Sequence, residues 1–172
     1  MATTYSPIAT TTLGTAAASV TFSTISGAYT DLVLVVNGYL ATQDAAVPRL
    51  EINGSTSNVY SQTNLTGTGA TAKSTRFTDK TDGFYIGSND IGWSTTAGNR
   101  STNIIQIMNY SNTTTYKTII GRTNQPAGSY PGVEAEVGLF RSTSAITSLR
   151  VFSSVATFAT GSTFTLYGIK AA

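Results

Sequence analysis

The chain has no Cys and no His among its 172 residues, and only 10% of them are charged. The missing thiol and imidazole exclude disulfides, thiolate chemistry, zinc sites built on Cys or His, His-based triads and a histidine pH switch near neutrality. Long apolar runs are also lacking: Leu32 to Val36 is the longest strongly apolar stretch, far short of the roughly 20 residues that span a bilayer. Met1 to Thr12 has neither the positive region nor the apolar core of a secretory signal, so the expectation is a soluble protein made in the cytoplasm, with no membrane partner. Net charge is only +2, with ten basic residues scattered along the chain (Arg49, Lys73, Arg76, Lys80, Arg100, Lys117, Arg122, Arg141, Arg150, Lys170). The field available to hold phosphates is weak, and nucleic acid is not an expected partner.

What is abundant is hydroxyl. About fifty residues are Ser or Thr, and they supply the polarity that charge supplies in ordinary soluble domains. Helical periodicity is almost absent, while Thr, Val, Ile, Tyr and Phe recur in short runs between Gly, Asn and Ser clusters, which is strand chemistry. Strands are expected at Ser19–Ser23, Thr30–Asn37, Arg49–Asn53 and Val59–Gln62, then at Gly83–Gly87, Thr102–Tyr110 and Thr115–Arg122. Val133–Phe140, Ile146–Phe152 and Thr163–Lys170 complete the set. Residues 63–81 read as a strand near Ala72–Phe77 or largely as loop, and Gly87–Asn99 as a long loop. Asn53-Gly54 is a strong two-residue turn signal. Eight to ten short strands with frequent turns predict an all-β, two-sheet antiparallel β-sandwich, jelly-roll-like, with the strand order open. Residues 19–172 form one such domain, and the Thr- and Ala-rich residues 1–18, with Pro7, form an extended N-terminal arm that either lies along a neighbouring subunit or hangs as a tail.

Few residues invite chemistry. Glu134 and Glu136, two apart on one strand, are expected on its solvent face opposite an inward Val133, Ala135, Val137 and Leu139; a carboxylate pair suggests glycoside hydrolysis, but two exposed glutamates are what a half-buried strand needs. Asp79, Asp82 and Asp90 lack calcium-loop spacing. No serine elbow or phosphate loop occurs. No catalytic residue, metal or cofactor is therefore expected. For partner binding the candidates are Tyr5, Pro7 and Ile8 on the arm, Trp93 in the long loop and Tyr130. Trp93 is either an exposed aromatic anchor or a plug over one end of the sandwich.

The stretches Asp31–Val36, Ile107–Thr118, Leu139–Leu149 and Phe158–Ile169 resemble a module found in tailed-phage virion proteins, and the resemblance spans nearly the whole chain. It implies a β-rich structural component. Such modules are capsid decoration or cement proteins when they stand alone, and parts of tail fibres or receptor-binding appendages when attached to other domains. No functional residues carry over. The chain has no heptads or repetitive shaft, so the resemblance implies a cement protein on the outer capsid surface, its partner the major capsid protein and its assembly a homotrimer about a local threefold axis. The alternative it implies is a tail-fibre component that recognises host surface glycans.

Overall fold

The computed structural model describes residues 4–88 and 90–170; the first three positions of the expected arm, Asn89 and the last two residues of the expected domain lie outside the described residues. There is no helix among the described residues. Twelve strands follow one another: β1 (Tyr5–Thr12), β2 (Ser19–Phe22), β3 (Asp31–Gly38), β4 (Arg49–Ile52), β5 (Tyr60–Gly67), β6 (Ala72–Lys80), β7 (Phe84–Tyr85), β8 (Ser101–Ile107), β9 (Lys117–Gln125), β10 (Gly132–Phe140), β11 (Leu149–Phe152) and β12 (Thr163–Ile169). All pair antiparallel, in an eight-stranded sheet ordered β1-β12-β3-β8-β9-β10-β5-β6 and a four-stranded sheet ordered β2-β11-β4-β7.

Two units are visible in that order. Numbered among themselves, β1, β2, β3, β4, β7, β8, β11 and β12 run from one to eight, and they form facing sheets of order 1-8-3-6 and 2-7-4-5. That interleaving is a jelly roll. The other four strands are two hairpins, β5–β6 inserted between β4 and β7 and β9–β10 inserted between β8 and β11. They extend one sheet beyond β8 as β9-β10-β5-β6. The small sheet has no counterpart to this extension.

Alternation builds the jelly-roll core. Leu32, Leu34 and Val36 of β3, Phe164 and Leu166 of β12, and Ile105 and Ile107 of β8 turn inward onto Val20, Phe22, Leu50, Ile52, Leu149 and Val151 of the small sheet. Fully burying each such side chain contributes about 1.5–3 kcal/mol. The near end of the extension joins the same core through Tyr60, Ile119 and Phe140. Asn53 and Gly54 both take positive φ, as the Asn-Gly signal requires, but the flanking β4 and β5 lie in different sheets.

Several expectations need correcting. The segment expected to be an arm is an edge strand: β1 pairs along β12 from Tyr5↔Ile169 to Thr12↔Thr163, with a bulge between Pro7 and Ala9. Thr and Ala looked too weakly apolar to order a strand, but a ready-made edge supplies the hydrogen bonds. Of the two readings of residues 63–81 the strand near Ala72–Phe77 holds, as β6, and the largely-loop reading does not: β5 runs on to Gly67 and pairs with β6 as a hairpin. Largest of all, β10 faces the opposite way. Glu134 and Glu136 are buried, the latter with 0% exposure, while Val133 is 62% and Val137 55% exposed.

Candidate interaction face

The inverted strand belongs to an inverted region. On the inner face of the extension, Gln62, Asn64 and Thr66 of β5, Glu134 and Glu136 of β10, and Thr123 and Gln125 of β9 are all buried. What covers them is the edge of β7 and the loop after it, in which Ile86, Gly87, Ser88, Ile91, Gly92, Trp93 and Ser94 are buried. Part of this backbone bonds other backbone, Ile86 to Pro48 and Trp93 to Ala45 and Ala46, and the peptide groups left over must find other partners. Side chains of the sheet take several of them. Gln62 Oε1 accepts from the Tyr85 amide (2.6 Å) and Gln62 Nε2 donates to its carbonyl (3.2 Å). Asn64 Nδ2 donates to the Gly87 carbonyl (3.4 Å), Glu136 Oε1 accepts from the Gly87 amide (2.8 Å), and Gln125 Oε1 accepts from the Ser94 amide (3.4 Å).

The two carboxyls hold the centre. Glu134 accepts from Asn64 Nδ2 (2.5 Å), Ser88 Oγ (2.6 Å) and Thr66 Oγ1. Glu136 Oε1 also accepts from Thr123 Oγ1 (2.7 Å), and its side chain crosses Gly121, where a Cβ would stand 2.3 Å from Oε2. Burial, and then the charge of Glu134, raises the Glu136 carboxyl to about 8. Oε2 has no hydrogen-bond partner, and with its carboxyl raised to about 8 Glu136 is mostly protonated at neutral pH. These glutamates tie a loop to a sheet, and a polysaccharide could reach them only by unseating Gly87 and Ser88.

The alternate positions face outward and set aliphatic side chains among polar and basic ones. One row of cross-strand partners runs Val35, Ile104, Arg122, Ala135, Leu65, Ser74; the next runs Val33, Gln106, Ile120, Val137, Thr63, Arg76. Leu65, Ile104, Ile120, Val133 and Val137 are exposed. Shallow grooves between them hold about 510 Å³ beside Ile104, Arg122 and Val133, and about 400 Å³ beside Ile120, Arg122 and Val137. At strand spacing the eight-stranded face is roughly 34 Å wide.

The expected binding residues divide. Tyr5 lines a groove on this outer face with Val33, Ile104 and Arg122, and packs edge-on against Tyr167. Pro7 is exposed and pairs with Tyr167. Ile8, at the bulge, packs against the core. Trp93 is not an exposed anchor: it has 0% exposure, its ring sits 5.8 Å from that of Phe158, and its backbone donates to the Ala46 carbonyl and accepts from the Ala45 amide. Tyr130 is 45% exposed in a loop fixed by the hydrogen bond from Ser129 Oγ to Asp44 (2.6 Å). Asp79, Asp82 and Asp90 are held apart by Arg141, Arg49 and Lys73, and among the described residues no three metal-ligating side chains gather. Nor is any described helix long and apolar enough to cross a membrane. Sequence reasoning missed Leu65, Ile104, Ile120, Arg122, Val133 and Val137. The available signal was polar alternation in Gln62-x-Asn64-x-Thr66, parallel to that of Glu134-x-Glu136.

No protein-family model matches the chain, and no curated protein matches it significantly. A solved structure of the marine PL-14 alginate lyase from Aplysia kurodai aligns with 84% of this chain and 70% of its own, at 7% identity and a TM-score of 0.33. A likeness that slight carries no argument about activity.

Proposed function

We propose that this chain is a non-enzymatic structural protein of a tailed-phage virion, a decoration or cement protein that docks on the outer capsid and bridges its subunits. The observation that carries this reading is the outer face of the extension, where Leu65, Ile104, Ile120, Val133 and Val137 stand exposed on one rigid sheet. Contiguous exposed apolar surface of this kind marks an interaction site. The resemblance to virion modules supplies the setting, and the enclosed position of Glu134 and Glu136 supports a role without catalysis. In this role the protein works as a homotrimer, its partner the major capsid protein, adding contacts that must break before the shell opens. Burial of Trp93 takes from the glycan-binding alternative the aromatic surface on which it chiefly relied.

Light scattering on the purified protein, followed by co-sedimentation with expanded, undecorated shells of the phage that encodes it, tests the reading. A trimer that sediments with shells is expected. A monomer that ignores shells contradicts it, and binding to host cells instead selects the tail-fibre alternative.

A further inference from the structure

Charge on the outer face narrows what can cover it. Eight of the ten basic side chains have partners within the chain. Arg49, Lys73, Arg141 and Arg150 form ion pairs. Lys80, Arg100 and Lys170 lie over aromatic rings, and Lys117 donates to three carbonyls. Only Arg76 and Arg122 have no recorded partner among the described residues, and both project from the outer face. Arg122 is flanked by Ile104 and Ala135 in its row. Arg76 borders a groove shared with Val137 and Leu139.

Among the described residues there is no free side-chain carboxylate to offer in return. The chain's eight acidic residues are all engaged. Glu51, Asp79, Asp82 and Asp90 are in the ion pairs above. Asp31 accepts from the Asn109 amide and Asp44 from the Thr95 amide, while Glu134 and Glu136 are sealed inside. A second copy packed symmetrically on this face would bring two unpartnered arginines from each copy into one interface with no free carboxylate to pair them, and like charges brought together out of water cost several kcal/mol in specificity. Edge pairing is guarded too: β1 carries Pro7 and a bulge at one edge, and β6 carries Lys73, Arg76 and Lys80 at the other.

We infer that the face formed by β8, β9, β10 and β5 binds a different protein, one presenting aliphatic side chains with carboxylates set among them, and that Arg122 is the principal charged anchor with Arg76 secondary. This rests on the docking role proposed above and specifies its partner: an acidic, apolar surface of the shell, with contacts between copies made elsewhere.

Three measurements test it. Arg122→Glu should weaken co-sedimentation with expanded shells roughly thirtyfold or more, Arg122→Lys much less, and circular dichroism should show both variants folded. Shell binding unchanged by Arg122→Glu overturns the inference while leaving the cement role intact. If the wild type ignores shells, the cement role fails and the partner's chemistry is decided by synthetic peptides alternating Val with Glu or Val with Lys. The inference expects the Val-Glu peptide to bind at least tenfold tighter and Arg122→Glu to reverse that order; equal binding, or tighter binding of polyuronate oligosaccharides that depends on Arg122, overturns it. Light scattering completes the test, because an oligomer dissolved by Arg122→Glu or Val137→Asp would make the face a self-interface and overturn it as well.

Discussion

The jelly roll and its four-stranded extension share one continuous sheet, yet they distribute polarity in opposite senses. In β3 and β12 Leu32, Leu34, Val36, Phe164 and Leu166 point toward the small sheet. In β5 and β10, beyond Tyr60 and Phe140 at the near end, the inward side chains are Gln62, Asn64, Thr66, Glu134 and Glu136, while Leu65, Val133 and Val137 point out. The difference follows from what lies opposite. A second sheet has satisfied its own peptide groups and offers an apolar face, so it asks for apolar partners; the loop after β7 leaves peptide groups of Gly87 and Ser94 without a ladder, so it asks for hydrogen bonds. The apolar outer face of the extension is thus the other side of a structural solution to covering a sheet with a loop.

Truncation separates the two regions most strongly. Leu34→Ala or Phe164→Ala, in the jelly-roll core, should cost about 2–5 kcal/mol in urea unfolding. Leu65→Ala, an equally large aliphatic truncation on the outer face, should stay within about 0.5 kcal/mol. Equal losses would break the comparison.

The next effect is in pH. The Glu136 carboxyl titrates at about 8 in the fold against 4.5 ordinarily, so between these values the folded state binds the extra proton and stability must fall as pH rises. The contribution is complete below about pH 4.5 and lost above about pH 8, on the order of 5 kcal/mol. Thermal unfolding from pH 5 to 9 should show the decline. Glu136→Gln, which keeps the acceptor for Gly87 and Thr123 and cannot ionise, should flatten it and raise Tm at pH 9.

Smaller still are changes that disturb the pair indirectly. Gly121→Ala puts a methyl where Oε2 lies and should cost about 1–3 kcal/mol, as overpacking does. Thr66→Val removes one donor to Glu134 and should cost about 1–2 kcal/mol. The Gly121→Ala loss should shrink in a Glu136→Ala background, which removes the crossing side chain, and the Thr66→Val loss in a Glu134→Ala background, which removes its acceptor; undiminished losses would place their cause elsewhere.

Period was legible in the sequence and sign was not. Val133 to Phe140 alternates plainly, and alternation located β10 correctly, but it is silent about which parity faces in. The usual rule, apolar inward, assumes an apolar surface opposite, and what lies opposite β10 is a loop remote in sequence. The same ignorance left Trp93 undecided, since its burial depends on Phe158 and on bonds to Ala45 and Ala46. The all-β class and most strand positions needed only local chemistry. β1 did not, because Thr and Ala make a strand there only when the edge of β12 is already in place.

With no native Cys, single cysteines report directly on which side of the extension faces water. Thiol labelling of folded Val137→Cys and Thr66→Cys, each on its own otherwise unaltered chain, compares the outer and inner faces. Modification of Val137→Cys near the unfolded rate, with Thr66→Cys strongly protected until urea is added, is the predicted result; protection at 137 with rapid labelling at 66 would contradict the inverted face and the docking surface built on it.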